Sequence, residues 1–252
     1  MHISYGLSEE AWHDTRGFIE NLIRERKVRR ILELGAGANP VFPMEFVRQN
    51  GLDYTLLDIS DVELAKAPQG YETICADIAD PDVCLTGCFD MVFSCMLAEH
   101  VKDGEIFHRN VFRLLGPGGV AFHFFPALYA LPFVVNRLLP EFIAEGMLHW
   151  LQSGRNSDGR HRKFPAYYSW CRGPVSSQIR RFGRLGFSVE KYIGFYGHAS
   201  YYEKLPVIKN LHSAFSRWLV KHPVPWLCSF SYVVLVKPVE TADMDHLCIQ
   251  AK

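Results

Sequence analysis

Three places in this sequence carry groups that suit a single ligand. Ile31-Leu32-Glu33-Leu34-Gly35-Ala36-Gly37 runs a short apolar stretch into a turn holding two glycines. A ligand lying across the carboxyl ends of a parallel sheet needs bare backbone at such a turn, because β-carbons would hold it away. Asp58 closes the next apolar stretch, where a carboxylate can accept hydrogen bonds from both hydroxyls of a ribose. Asp77 closes the one after that, placed to reach an adenine amino group. If a hydroxyl is then to react, a general base must stand within hydrogen-bond reach of it. His123, near the end of an apolar stretch at 120–125, is the first choice; His198, in Gly194-Phe195-Tyr196-Gly197-His198, is the second. His100, adjacent to Glu99, is a further candidate that can also cover the ligand, and His149 and His161 lie farther along. For each histidine the alternative is a packed or solvent-facing ring.

The elements that must hold these groups alternate. The sequence predicts a helix from Ser8, as its cap, to about Lys27, with Trp12, Phe18, Ile19, Leu22 and Ile23 at roughly helical spacing. Strands follow at 30–34, 54–57, 72–76, 89–94 and 120–125, with helices near 43–49 and 105–115 and the turn Gly116-Pro117-Gly118-Gly119 before the fifth strand. After an irregular stretch the alternation resumes: a helix at 174–185, a strand at 187–193, a helical insertion at about 200–227 and a last strand at 229–237. Strands separated by helices predict a parallel sheet covered on both faces. The implied organisation is an N-terminal helix (1–28), a ligand-binding core (29–125), an inserted lid (126–172), a completion of the core (173–238) and a tail (239–252).

Over about residues 29–125 the sequence resembles the class I methyltransferases that use S-adenosylmethionine (SAM). Glu33-Leu34-Gly35-Ala36-Gly37 looks like their first motif, Leu57-Asp58-Ile59 like the ribose-binding one and Ala76-Asp77-Ile78 like the adenine-binding one. Phe89-Asp90-Met91-Val92-Phe93-Ser94, followed by Leu97-Ala98-Glu99-His100-Val101, is similar to the fourth-strand motif of the small-molecule branch, and Leu115-Gly116-Pro117-Gly118-Gly119 to the turn before strand five. The resemblance implies a Rossmann-like α/β fold with a mostly parallel seven-stranded sheet, and SAM as cofactor. It implies cofactor contacts from Glu33 (near the methionine amino group), Gly35, Ala36, Gly37, Asn39, Asp58, Ile59, Asp77, Ile78, Ser94, Cys95 and His100. Asn39 departs from the small residue or glycine often found at its place in that motif. A dinucleotide-binding fingerprint would instead need glycine at position 40, where this chain has Pro40, which lacks an N–H for a phosphate.

The lid is unusually aromatic. Tyr129, Trp150, Tyr167 and Tyr168 are candidate acceptor contacts, since stacked rings can hold a planar or sugar-like molecule and exclude water from a sulfonium. The other reading is a satellite core under a long loop. Residues 131–151 alternatively form an amphipathic helix resting on a membrane. Arg160 and Arg162 belong to a basic run opposed by Asp158 alone, which is either a solvated loop or a receiver for a phosphate or carboxylate on the acceptor.

Composition narrows the partners. Lys+Arg and Asp+Glu balance at 27 each, so no net field recruits nucleic acid, and no appended binding module is visible. The basic stretch Arg24 to Arg30 suits a solvated helix end. Seven scattered cysteines without a Cys-x-x-Cys pair give no zinc spacing, fit reduced thiols and, with no evident signal peptide, point to the cytoplasm. The most apolar stretch, at 120–135, is shorter than a membrane span. The expected activity is methyl transfer to a small molecule, a hydroxyl of a metabolite or glycan sugar ahead of nitrogen or carbon, with no metal. A nucleic-acid or protein methyltransferase and a non-catalytic SAM-binding module are the alternatives. The sequence leaves the oligomeric state open.

Overall fold

The computed structural model describes residues 1–85, 88–128, 165–202 and 204–239. Eight strands form one sheet: β1 (His2–Leu7), β2 (Arg30–Leu34), β3 (Asp53–Asp58), β4 (Glu72–Cys75), β5 (Phe89–Cys95), β6 (Leu115–Pro126), β7 (Ser188–Tyr196) and β8 (Phe230–Val236). Their order is β1-β7-β8-β6-β5-β2-β3-β4. Only β8 runs against its neighbours; the other pairings are parallel. The chain passes from β2 outward to β4 and then returns to the far side of β2 as β5. The sheet's reversal point therefore lies between β2 and β5, the place where open α/β sheets bind ligands beyond the strands' carboxyl ends.

The helices are α1 (Ser8–Arg26), α2 (Met44–Gln49), α3 (Asp61–Leu64), α4 (Gly104–Leu114), α5 (Ser176–Arg184) and α6 (Pro206–Lys221). Both faces are covered. On one, Phe18 of α1 packs on Phe122 and Tyr232, and Trp12 on Phe124 and Phe230. On the other, Phe107 of α4 lies against His123 and Phe182 of α5 against Tyr192. Alternation along β6 sends Phe122 and Phe124 one way and His123 the other. Asp103 caps α4, accepting from the Glu105 and Ile106 N–H groups at 2.9 and 3.0 Å.

Two expectations are corrected. The sheet has eight strands, the extra one being β1, which pairs residue for residue with β7 from His2↔Lys191 to Leu7↔Tyr196. Ser8 does not cap α1: Leu7 holds that position without a side-chain bond, and Ser8 is the buried first helical residue. The helix stops at Lys27, which turns left-handed (φ 53°) while its N–H reaches back to the last turn. Five sheet positions separate β1 from β2, about 24 Å at the usual spacing. The 19 residues of α1 supply a rod of about 28 Å to cross them.

Candidate active site

The turn after β2 is built around two left-handed glycines, Gly35 (φ 72°) and Gly37 (φ 50°). Gly35 N–H donates to Leu57 O of β3 at 2.7 Å, and Asn39 N–H to Ala36 O at 3.0 Å. A β-carbon on Gly37 would lie 3.5 Å from Asp58 Oδ2 and from Glu63 Cβ. The turn and the Asp58 carboxylate therefore converge on one mouth. Asp58 keeps its direction because Oδ1 accepts the Ser60 N–H at 2.9 Å. Glu33 is buried beneath the turn: its carboxylate accepts the Val41 N–H at 3.1–3.2 Å and the Tyr54 hydroxyl at 2.5 Å. Burial raises it to about 7, against the lowering pull of Tyr54 and Val41.

The loop leaving β5 closes the other side of the mouth. Met96 is left-handed (φ 55°) and donates its N–H to Phe124 O at 2.8 Å. That kink lays Leu97 on the glycine turn: a β-carbon on Gly35 would meet Leu97 Cδ1 at 2.8 Å. A 3-10 turn, Ala98–His100, follows. His100 is a third exposed; its Nδ1 lies 3.1 Å from Pro165 O, and its Nε2 lies 3.7 Å from Glu99 Oε1. The carbonyl places the ring proton on Nδ1 and leaves Nε2 as the basic atom. Glu99 is buried, and burial pushes its carboxyl up to about 8; Oε2 has no hydrogen-bond partner among the described residues. Glu99 O also accepts the Tyr167 and Tyr168 N–H groups at 2.7 and 3.0 Å, pinning residues 165–172 to this turn.

The remaining expected site residues divide. Asp77 is exposed on the same sheet edge, with Oδ1 accepting the Ala79 N–H at 2.8 Å. Ile78 beside it is buried, whereas Ile59 is largely exposed. Asn39 is exposed, Cys95 is half-buried and Ala36 is buried at the turn. Ser94 is not open to the crevice: it is fully buried, and its hydroxyl pairs with His123 Nδ1 at 2.8 Å. His123 is likewise enclosed between Ser94, Phe107 and His108, with its pKa driven well below 6.5 by burial and by His108. A ring with no exposed surface cannot meet an acceptor's proton, so the first-choice base is a core residue. His198 is mostly buried, and both its ring nitrogens have partners. Its Nδ1 pairs with Ser229 Oγ at 2.9 Å and its Nε2 with Tyr202 OH at 3.2 Å, and burial and His212 lower it to about 3. It ties β7 to the turn before α6.

Tyr167 is exposed, but Tyr168 is buried in the core and offers its ring to the interior. Tyr129, Trp150, Arg160 and Arg162, with His149, His161 and the expected helix at 131–151, lie outside the described residues. Three residues that shape the mouth had no role assigned from the sequence, although Leu97 and Glu99 stand in the motif after the fourth strand. Leu97 covers Gly35, Glu99 backs His100, and buried Asn110 of α4 donates to Ile78 O and Asp80 O, both at 2.9 Å, fixing the loop that bears Asp77. A polar residue within the apolar face of an otherwise amphipathic helix was the available signal for Asn110.

A family model described as a methyltransferase domain matches residues 32–123. No curated protein matches the chain in sequence. Among solved structures, the fold is similar to an S-adenosylmethionine-dependent methyltransferase from Clostridium acetobutylicum ATCC 824 (TM-score 0.54, 12% identity, 88% of this chain and 90% of that one). It is also similar to the [4+2]-cyclase SpnF (TM-score 0.51, 15% identity, 88% and 80%). A third likeness is to phosphoethanolamine N-methyltransferase 2 of Haemonchus contortus, solved with S-adenosyl-L-methionine (TM-score 0.50, 15% identity, 87% and 52%). At these identities the likeness is one of fold. Strand order, glycine turn and family match agree: residues 32–123 match a methyltransferase domain, and the sheet that holds them has the fold of the S-adenosylmethionine-dependent methyltransferases it is similar to.

Proposed function

We propose that the chain methylates a hydroxyl of a small-molecule acceptor, such as a metabolite or a glycan sugar, with SAM as donor. The observation that carries this reading is the meeting of the Gly35–Gly37 turn, the Asp58 carboxylate and the Glu99–His100 turn at the sheet's reversal point between β2 and β5. The residues fit the donor. Gly37 leaves open the space a β-carbon would take in front of Asp58, whose carboxylate suits two ribose hydroxyls; Asp77 suits the adenine amino group. Ile59 offers exposed apolar surface beside them, and Ile78 stiffens the floor. Glu33 acts from beneath by shaping the segment at Val41.

The bound donor supplies a methyl group on a positively charged sulfur, already electrophilic. What the chain must add is alignment of the acceptor and removal of its proton. In this reading His100 takes that proton at Nε2 with its ring held by the Nδ1–Pro165 O contact, and the buried Glu99 carboxyl, raised to about 8 by burial, lies 3.7 Å from Nε2 without pinning a proton there. Tyr167, exposed and anchored through Glu99 O, borders the acceptor's place.

Calorimetry with SAM and S-adenosylhomocysteine, followed by S-adenosylhomocysteine release over a panel of sugars, phenols and amines, tests the proposal. Asp58→Ala is expected to weaken SAM binding by about a hundredfold, two charge-assisted hydrogen bonds being lost. His100→Gln is expected to lower kcat about a hundredfold while the protein still binds SAM. Turnover of amines alone would move the acceptor to nitrogen. No SAM binding, or full turnover by His100→Gln, would sink the corresponding assignment.

A further inference from the structure

Amphipathic helices of water-soluble folds turn their apolar stripe to the core. α6 does the reverse. Its buried positions are Ser216 and Leu219, while Val207 (70% exposed), Leu211 (66%), Trp218 (51%), Phe215 (48%) and Ile208 (46%) face out. At 100° per residue these five fall within an arc of about 100°, one continuous stripe. The Phe215 and Trp218 rings stack at 5.9 Å, making an aromatic plate on that stripe. The turn after α6, Pro225–Leu227, adds exposed Trp226 and Leu227.

Along this segment the charges have one sign. From 204 to 239 there is no Asp or Glu, while Lys209, Arg217 and Lys221 lie on α6 itself, in a chain whose total charge is zero. Arg217 and Lys221 are exposed along one flank of the stripe. Apolar and aromatic residues on one side of a helix, with cations beside them and no carboxylates, match a helix lying in the plane of an anionic lipid surface. A second copy of the chain fits poorly: face-to-face packing would set cations against cations with no acid to pair them. No helix among the described residues is long and apolar enough to cross a membrane, so the contact is one of lying on the surface.

We propose that the outer face of α6 docks on an anionic bilayer surface. α6 leaves from the carboxyl end of β7 and is tied there by the His198 N–H donating to His212 Nε2 at 3.0 Å. That edge of the sheet also carries the active-site mouth, so a docked surface stands on the side from which an acceptor arrives. The docking itself is independent of which acceptor is methylated.

Co-sedimentation with vesicles of phosphatidylcholine, alone or with phosphatidylglycerol, tests this. The protein should pellet with the phosphatidylglycerol vesicles and release as salt is raised. Arg217→Gln with Lys221→Gln should lower the partition about thirtyfold, and Leu211→Ser with Trp218→Ser about a hundredfold. All four side chains are exposed, so SAM affinity and melting temperature serve as folding controls and should hold. Equal pelleting with both vesicle types, or partition unchanged by both variants, overturns the proposal. So does self-association lost in Leu211→Ser/Trp218→Ser without any vesicle binding, which would assign the face to a second copy.

Discussion

Alanine at Gly35 and at Gly37 should fail in two different ways. Both glycines are left-handed, so both substitutions incur about 1–2 kcal/mol for an L side chain in that region. They differ in what the new methyl meets. At Gly35 it would sit 2.8 Å from Leu97 Cδ1, closer than packed carbons tolerate. Leu97 is half-buried and its far end can yield, so the overpacking cost belongs at the low end of its range, about 1 kcal/mol. Gly35→Ala is therefore expected to cost about 2–3 kcal/mol in stability. At Gly37 nothing is nearer than 3.5 Å, so Gly37→Ala should cost about 1–2 kcal/mol in stability. Its methyl stands in front of Asp58, however, and SAM affinity should fall at least tenfold, about 1.4 kcal/mol. Urea unfolding at constant m separates the stabilities, and calorimetry gives the affinities. In a Leu97→Ala background the gap between the two variants should close, as expected for residues in direct contact. A gap that persists there, or a Gly37→Ala protein that binds SAM normally, would refute the reading of this turn as a cradle held shut by Leu97.

Two further outcomes follow from buried polar groups. Asn110→Ala strands the buried carbonyl of Ile78 and frees the more open one of Asp80, so a loss of about 1–3 kcal/mol is expected in urea unfolding. SAM affinity should weaken as well, because the Asp77 loop loses its tie. Burial raises Glu99 to about 8 and Glu33 to about 7, so the fold holds protons that the unfolded chain has released above its ordinary 4.5. Their contribution is full below about pH 4.5 and is lost as pH climbs through 7 and 8, at no more than about 1.4 kcal/mol per pH unit for each group. His108, lowered to about 4, His198, lowered to about 3, and His123 and His212, lowered by burial, act oppositely below about pH 6.5, so the clean window is about pH 6.5–8. There Glu99→Gln should flatten the decline in unfolding midpoint; an unchanged slope would count against a neutral Glu99.

Much of this architecture was legible because burial and periodicity agree. β2 reads as an apolar run ending in glycine, and the structure begins and ends it at Arg30–Leu34. β3 and β5 lie within a residue of their expected bounds for the same reason. β1 was not legible. His2, Ser4 and Gly6 interrupt its apolar residues, and what makes it a strand is a partner near residue 190 that no local window contains. The histidines show a second limit. Alternation along β6 separates His123 from Phe122 and Phe124, yet says nothing about which face looks into helix α4. A strand-end histidine thus read as a base when it is a core ring paired with Ser94. Glu99 and His100 follow β5 in the sequence, but their value depends on the left-handed kink at Met96, for which no glycine stands as a warning.

The pairing of β1 with β7 constrains when the molecule can finish assembling. A ribosome releases His2–Leu7 long before Lys191–Tyr196 exist, so the leading segment must wait through most of synthesis for its hydrogen-bond partner. Contacts so distant along the chain slow the closing step. The waiting segment is suited to the delay: His2 is exposed and Ser4 is half-exposed, and such polar positions make a poor template for stray strands. The edge beside β7 is then sealed by β1, a segment tethered across the sheet by the rod of α1.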